Sequence, residues 1–207
     1  MAPRVVDKEE RRRSLLVAAK AAFTERGFAA ATVEDMARRA GVSKGLLYAY
    51  FADKEDLLFS VLDADFTEAL EQMREMAETH PDLDAARTLR LAFGMMADLL
   101  HEADTWMSLS LEFWSAANVL ESRQRFRDAL NAQYGTFRQW FAEVIRRGQA
   151  EGLFRRDLDA ETGAIVLAGM FDSVGLQVWL DPALIPAAEM EGRVAAMGET
   201  FLRGWSV

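Results

Sequence analysis

Apolar positions recur along almost the whole chain at helical spacing, and no stretch shows the period-two alternation of a strand. Leu15, Leu16, Ala19, Ala22 and Phe23 form one stripe. They predict a first helix over about 8–26, ended by Gly27, with Phe28 packing back into the small N-terminal domain. Val33, Met36, Ala37 and Ala40 share a face behind Thr32, whose hydroxyl suits an N-cap. Asp35 stands where a capping-box acid would. Gly41 closes this short helix, because a position with φ above zero costs glycine little. Val42 then fills the gap, and Ser43 caps another short helix carrying Lys44 to Phe51. Asp53 caps a fourth, which runs through Leu57, Leu58, Val61, Leu62, Phe66, Leu70 and Met73 to about 78. His80-Pro81-Asp82 breaks the chain. Five more helices follow, over about 84–101, 104–119, 122–151 (stopped by Gly152), 160–180 and 187–205. The fold class expected is all-α, with about nine helices.

A short helix, a glycine turn and a second capped helix make a helix-turn-helix pattern. In the second helix Leu47 and Phe51 are four apart and face inward, which leaves Lys44, Tyr48 and, on the flank, Tyr50 outside. Two readings stand. The tyrosines pack on neighbouring helices as plain scaffold, or the helix enters a DNA major groove. In the groove, lysine reaches guanine O6 and N7, and tyrosine hydroxyls hold phosphates. Lys54 favours the second reading. A cation in the first turn of a helix opposes the helix dipole unless an anion is present, and a phosphate resolves the conflict.

Composition narrows the choice. With 51% hydrophobic residues the chain is a folded one, and without cysteine it has neither disulfides nor thiolate metal sites. The two histidines, His80 and His101, are far apart, so no metal site and no cofactor are expected. The formal net charge of −9 argues against nucleic acid until its distribution is read. Residues 1–60 carry 11 Lys+Arg and 9 Asp+Glu, whereas the remainder carries 13 and 24. The basic groups thus gather at the N-terminal end, and the acidic remainder would be turned away from phosphate. Residues 1–7 read as a flexible arm in which Arg4, with Lys8 beyond it, could touch DNA, although a solvated tail is the plainer reading. No signal-peptide-like run is present, and the longest nearly uncharged run, 163–171, is short of a membrane span. A cytoplasmic protein with no membrane partner is expected.

Residues 11–62 resemble the DNA-binding domain of the TetR family of bacterial regulators. The resemblance rests on Ala22-Phe23, Gly27-Phe28, Thr32-Val33, Ala37 and Ala40-Gly41-Val42-Ser43. It continues through Gly45-Leu46-Leu47-Tyr48-Ala49-Tyr50-Phe51 and Lys54-Glu55-Asp56-Leu57-Leu58. Further on, the run from Gly148 to Arg155 and Asp157-Leu158-Asp159 look like the corresponding region of many members. The resemblance implies a helix-turn-helix DNA-binding domain over 1–53 and a helical ligand-binding and dimerisation domain over 54–207. It implies a homodimer on a palindromic operator, usually a repressor, released by a small molecule. Thr32, Ser43, Lys44, Gly45, Leu46, Tyr48, Tyr50 and Lys54 are then expected to face DNA. Lys44 would read a base, and Thr32, Tyr48, Tyr50 and Lys54 would hold phosphates. The helices at about 160–180 and 187–205 would form the dimer interface.

Aromatic and methionine residues are dense between Phe93 and Phe171. Taken singly, each is plain core; as a set they exceed what packing needs and suit an adaptable pocket. Phe66, Met95, Trp106, Phe113, Trp114, Tyr134, Phe137, Met170, Phe171 and Asp172 are expected to bind a largely hydrophobic effector. His101, Glu112, Asn118 and Gln177 are further polar candidates. Glu112 or Asp172, if inward, would favour a cation held against an aromatic wall. No nucleophile elbow, HExxH or phosphate-binding glycine loop occurs, so no catalytic residue is expected. The rival is an all-helical carrier or sensor without DNA binding, with an enzyme a distant third.

Overall fold

The computed structural model describes residues 8–101, 103–116 and 123–207; among them the side chains of 103–106, 113, 115, 116, 123, 125 and 126 are not described. The arm at 1–7 and Asn118 lie outside the described residues. Nine α-helices occur among them: α1 (Lys8–Ala30), α2 (Val33–Arg39), α3 (Lys44–Tyr48), α4 (Lys54–Thr79), α5 (Ala85–His101), α6 (Ala103–Ala116), α7 (Arg123–Ala150), α8 (Ala160–Leu180) and α9 (Met190–Trp205). The described residues hold no strand, only an isolated bridge between Phe154 and Ser206.

The chain forms two compact units, one of Met1–Thr67 with Ser108–Ala129 and one of Glu68–Met107 with Leu130–Val207. In the first, the expected stripe of α1 is buried, with Leu15, Ala19 and Ala22 fully enclosed. Met36 and Ala37 of α2, Leu47 and Phe51 at α3, and Leu57, Leu58 and Leu62 of α4 are buried as well. Burying such side chains contributes roughly 1.5–3 kcal/mol each.

Three boundaries differ from expectation. Gly27 breaks α1 without ending it: its φ of 73° and ψ of 162° leave the helix. The chain then resumes, with Ala31 N–H donating to Gly27 O at 3.1 Å. The second helix of the motif stops at Tyr48, and Tyr50 and Phe51 follow in a turn bonded to Leu47 O. The last helix opens with a 3₁₀ turn, Ala187–Glu189, before α9 proper. Although the run 163–171 is short, α8 is long and apolar enough to cross a membrane, with a mean hydropathy of 1.5 over its most apolar stretch.

In the second unit α5 lies along α9. Gly198 allows this approach, because a Cβ there would run into the Phe93 ring. The core draws Phe93, Met96 and Leu100 from α5, Trp140, Phe141 and Ile145 from α7, Ala164 and Leu167 from α8, and Val194 and Leu202 from α9. Only one side of α8 is covered. Ile165, Val166 and Leu180 are 58, 43 and 66% exposed. Gly169 between them has open space around it.

Candidate nucleic-acid interface and effector site

Local hydrogen bonds set the helix-turn-helix. Thr32 Oγ1 accepts from Asp35 N–H at 3.1 Å and donates to Asp35 Oδ2 at 2.9 Å. The acid therefore reaches the capping hydroxyl, where a longer Glu would reach the backbone. Ser43 Oγ accepts from Leu46 N–H at 3.2 Å. Asp53 Oδ1 accepts from Asp56 N–H at 2.6 Å, opening α4. Gly41 takes φ 66°, as its place in the turn requires. Ion pairs fasten α2 to α1: Arg26 with Asp35 at 2.5 Å, and Arg39 with Glu25.

These bonds present one exposed face. Thr32, Ser43, Lys44, Gly45, Leu46 and Tyr48 are all exposed, while Leu47 turns inward at 1% exposure. Leu46 and Tyr48, at 37 and 44%, are large apolar side chains left without cover. Tyr50 is half-buried, its ring 6.4 Å from that of Phe51. Lys44 pairs with Glu34 across the turn and lies 5.8 Å from the Tyr48 ring. That bond and the charge of Glu34 raise the lysine above its ordinary range. Glu34 is exposed too, so binding a base would exchange one exposed partner for another.

Lys54 is half-buried at a corner made by three helices of the first unit. Its ammonium donates to Ala29 O at 3.2 Å and sits 4.6 Å from the Phe28 ring centroid. Burial lowers its pKa, and the charge of Glu112 opposes the shift. Glu112 itself accepts from the Phe28 backbone N–H. It is therefore not the effector-site acid the residue type proposed: α6 delivers it to the break in α1.

The expected effector residues divide. Phe66 and Trp114 are half-buried in the first unit. The side chains of Trp106 and Phe113 lie outside those described. Met95, Tyr134, Phe137, Met170, Phe171 and Asp172 are half-buried in the second. There an apolar recess, with about 180 Å³ of empty space including its mouth, is lined by Met96, Leu100, Met170, Phe171, Val174, Val194 and Met197. Leu100, Val174, Val194 and Met197 were not among the expected effector residues. His101 is exposed, and Gln177 is exposed with its amide bonded to Ser173 O at 3.1 Å. Asp172 accepts the hydroxyl of Tyr134, and its Oδ1 is buried without a partner among the described residues. Burial pushes Asp172 up to about 6 and also raises Tyr134.

An all-helical chain that presents a capped helix-turn-helix on one unit and a small apolar recess in the other has the build of a one-component transcriptional regulator. The family comparisons agree. Residues 15–61 match the model of the bacterial regulatory proteins of the tetR family, and residues 85–203 match that of the BetI-type transcriptional repressor C-terminal domain. The chain belongs to the TetR family and is a ligand-responsive, DNA-binding transcriptional regulator. It is 30% identical over 156 residues to the HTH-type transcriptional repressor KstR2 of Rhodococcus jostii, covering 74% of this chain and 72% of that one. A transcriptional regulator from Pseudomonas aeruginosa PAO1 superposes with a TM-score of 0.73 at 27% identity, over 97% of this chain and 94% of the other. A regulator from Saccharomonospora viridis, solved in complex with choline, superposes with a TM-score of 0.68 at 26% identity, over 93% and 97%.

Proposed function

We propose that the chain is a repressor that binds a palindromic operator as a homodimer and leaves it when a small, largely hydrophobic effector binds. Residues 1–53 read DNA, and residues 54–207 bind effector and dimerise. The observation that carries this reading is the exposed face at α3. Lys44, Leu46 and Tyr48 stand clear of the core on a segment whose two caps and inward Leu47 fix its orientation. Lys44 reads a base edge, while Thr32, Tyr48, Tyr50 and Lys54 position the backbone, with Ser43, Gly45 and Leu46 beside them. Lys54 reaches a phosphate by turning from Ala29 O. As a regulator of DNA the chain works in the cytoplasm and carries out no catalysis.

The uncovered side of α8 supports dimerisation through α8 and α9. Only 39% of its most apolar stretch is buried within the chain. A second copy of the same surface covers it under twofold symmetry, and that symmetry matches an operator palindrome. Gly192, Ala195 and Ala196 on α9 are exposed and small, which admits a close neighbour. Release is a population shift. Effector favours a spacing of the two α3 helices unlike the roughly 34–36 Å that successive half-sites demand. The choline in the Saccharomonospora viridis regulator is a precedent for an effector of small size.

Sheared genomic DNA from the source organism, mixed with the purified protein at moderate salt and sequenced after retention, tests the proposal. Enrichment of one palindrome, lost with Lys44→Ala, is the expected result. A folded dimer that retains nothing would instead support the carrier or sensor reading.

A further inference from the structure

Asp172 is the single charged residue in α8 between Gly163 and Leu180. Its Oδ2 accepts the Tyr134 hydroxyl from α7. Its Oδ1 is sealed from solvent, and no described donor reaches it. An ionised carboxylate offers about four acceptor positions, and leaving a buried one bare is costly. No described cation offsets the charge: Arg138 acts on Tyr134, not on Asp172. As a purely structural partner for Tyr134, asparagine would accept the same hydrogen bond without the penalty of a buried charge. The pair therefore has the form of a site that lacks its third member.

We propose that Asp172 and Tyr134 form the head-group site for a small protonated amine. Its N–H⁺ bonds Oδ1, and its hydrocarbon part lies on Phe137, Met170 and Phe171. The inference rests on the effector reading above and names the chemical class. Charge alone would admit any cation, whereas the bare acceptor asks for a donor as well, which an amine supplies and a quaternary ammonium does not. Phe137 is one turn from Tyr134 and packs against the core, as do Met170 and Phe171. Met170 and Phe171 also line the apolar recess, so the two residues beside Asp172 in sequence border an apolar surface.

The test is calorimetric titration of the full-length protein, without DNA, at about pH 7.5, where the amines are protonated. The probes are butylamine, hexylamine and 2-phenylethylamine, each beside its alcohol and its trimethylammonium counterpart. At least one amine should bind about tenfold or more tightly than both counterparts. Asp172→Asn, checked for folding by circular dichroism, should remove that preference, and Tyr134→Phe should reduce it. If no amine prefers the wild type over Asp172→Asn, or if the trimethylammonium probe binds as well as its amine, the inference is overturned. Operator binding is measured separately. Release of operator by another molecule, unchanged in Asp172→Asn, would sink the inference and leave the regulator reading standing. An Asp172-dependent amine preference in a protein that binds no operator would do the reverse.

Discussion

The carboxylate of Glu112, on α6, accepts the backbone N–H of Phe28 at the point where Gly27 breaks α1. The two features depend on each other. Gly27 holds a φ, ψ pair that side-chain-bearing residues avoid, and a Cβ there would lie 2.9 Å from Glu112 Oε1. Gly27→Ala should therefore lower stability by about 1–3 kcal/mol, read as a shifted urea midpoint. Glu112→Ala strands the Phe28 N–H and should cost about 1–3 kcal/mol, whereas Glu112→Gln keeps an acceptor and should recover most of the loss. Equal losses in the two variants would mean that charge, not the hydrogen bond, holds the corner.

Lys54 tests the phosphate assignment. Its ammonium rests on Ala29 O and the Phe28 ring, in the first turn of α4. Lys54→Ala should weaken binding to all DNA sequences alike and reduce the slope of log K against log salt by about one. A loss confined to one sequence would assign it to base readout instead.

Asp172 makes stability depend on pH in a stated direction. Its folded pKa, about 6, stands above the ordinary 3.8, so the folded state binds the proton more tightly. Stability from this group is present below about pH 4, falls as the pH rises from 4 to 6, and stays lost above. Asp172→Asn should thus be more stable than the wild type at neutral pH, by about 1–3 kcal/mol, with the gap closing towards pH 4. Thermal denaturation of both proteins across that range measures it. A gap that widens on acidification would contradict the buried-carboxyl account.

The uncovered side of α8 predicts an assembly. A pair of charges placed there, Ile165→Lys with Leu180→Lys, should yield monomers in analytical ultracentrifugation while leaving the helical spectrum intact, since both side chains are exposed within the chain. Dimers of unchanged strength would place the interface elsewhere.

Local chemistry was the part most legible in sequence. Thr32, Ser43 and Asp53 each cap through a bond to a neighbour three residues on, so the residue type alone carries the signal. The end of α8 follows from the Asp181-Pro182 stop, which is also local. Gly27 misled because glycine after a helical stripe usually ends the helix, and nothing local reveals that the next residues take up the turn again. Glu112 misled more deeply. An acid on a half-apolar helix suits a pocket as well as a corner, and only tertiary packing brings it to Phe28, 84 positions away. Leu100, Val174, Val194 and Met197 line the recess from helix stripes where any aliphatic residue reads as core.

The central claim is that α3 reads sequence through Lys44. Fluorescence anisotropy at fixed salt, with the captured palindrome and a scrambled duplex of equal length and composition, tests it most directly. The account predicts that the wild type prefers the palindrome by about a thousandfold or more. It also predicts that Lys44→Ala loses roughly 1–3 kcal/mol of that preference, relaxed at one base position in each half-site. Equal affinity for both duplexes, or a preference untouched in Lys44→Ala, would contradict it.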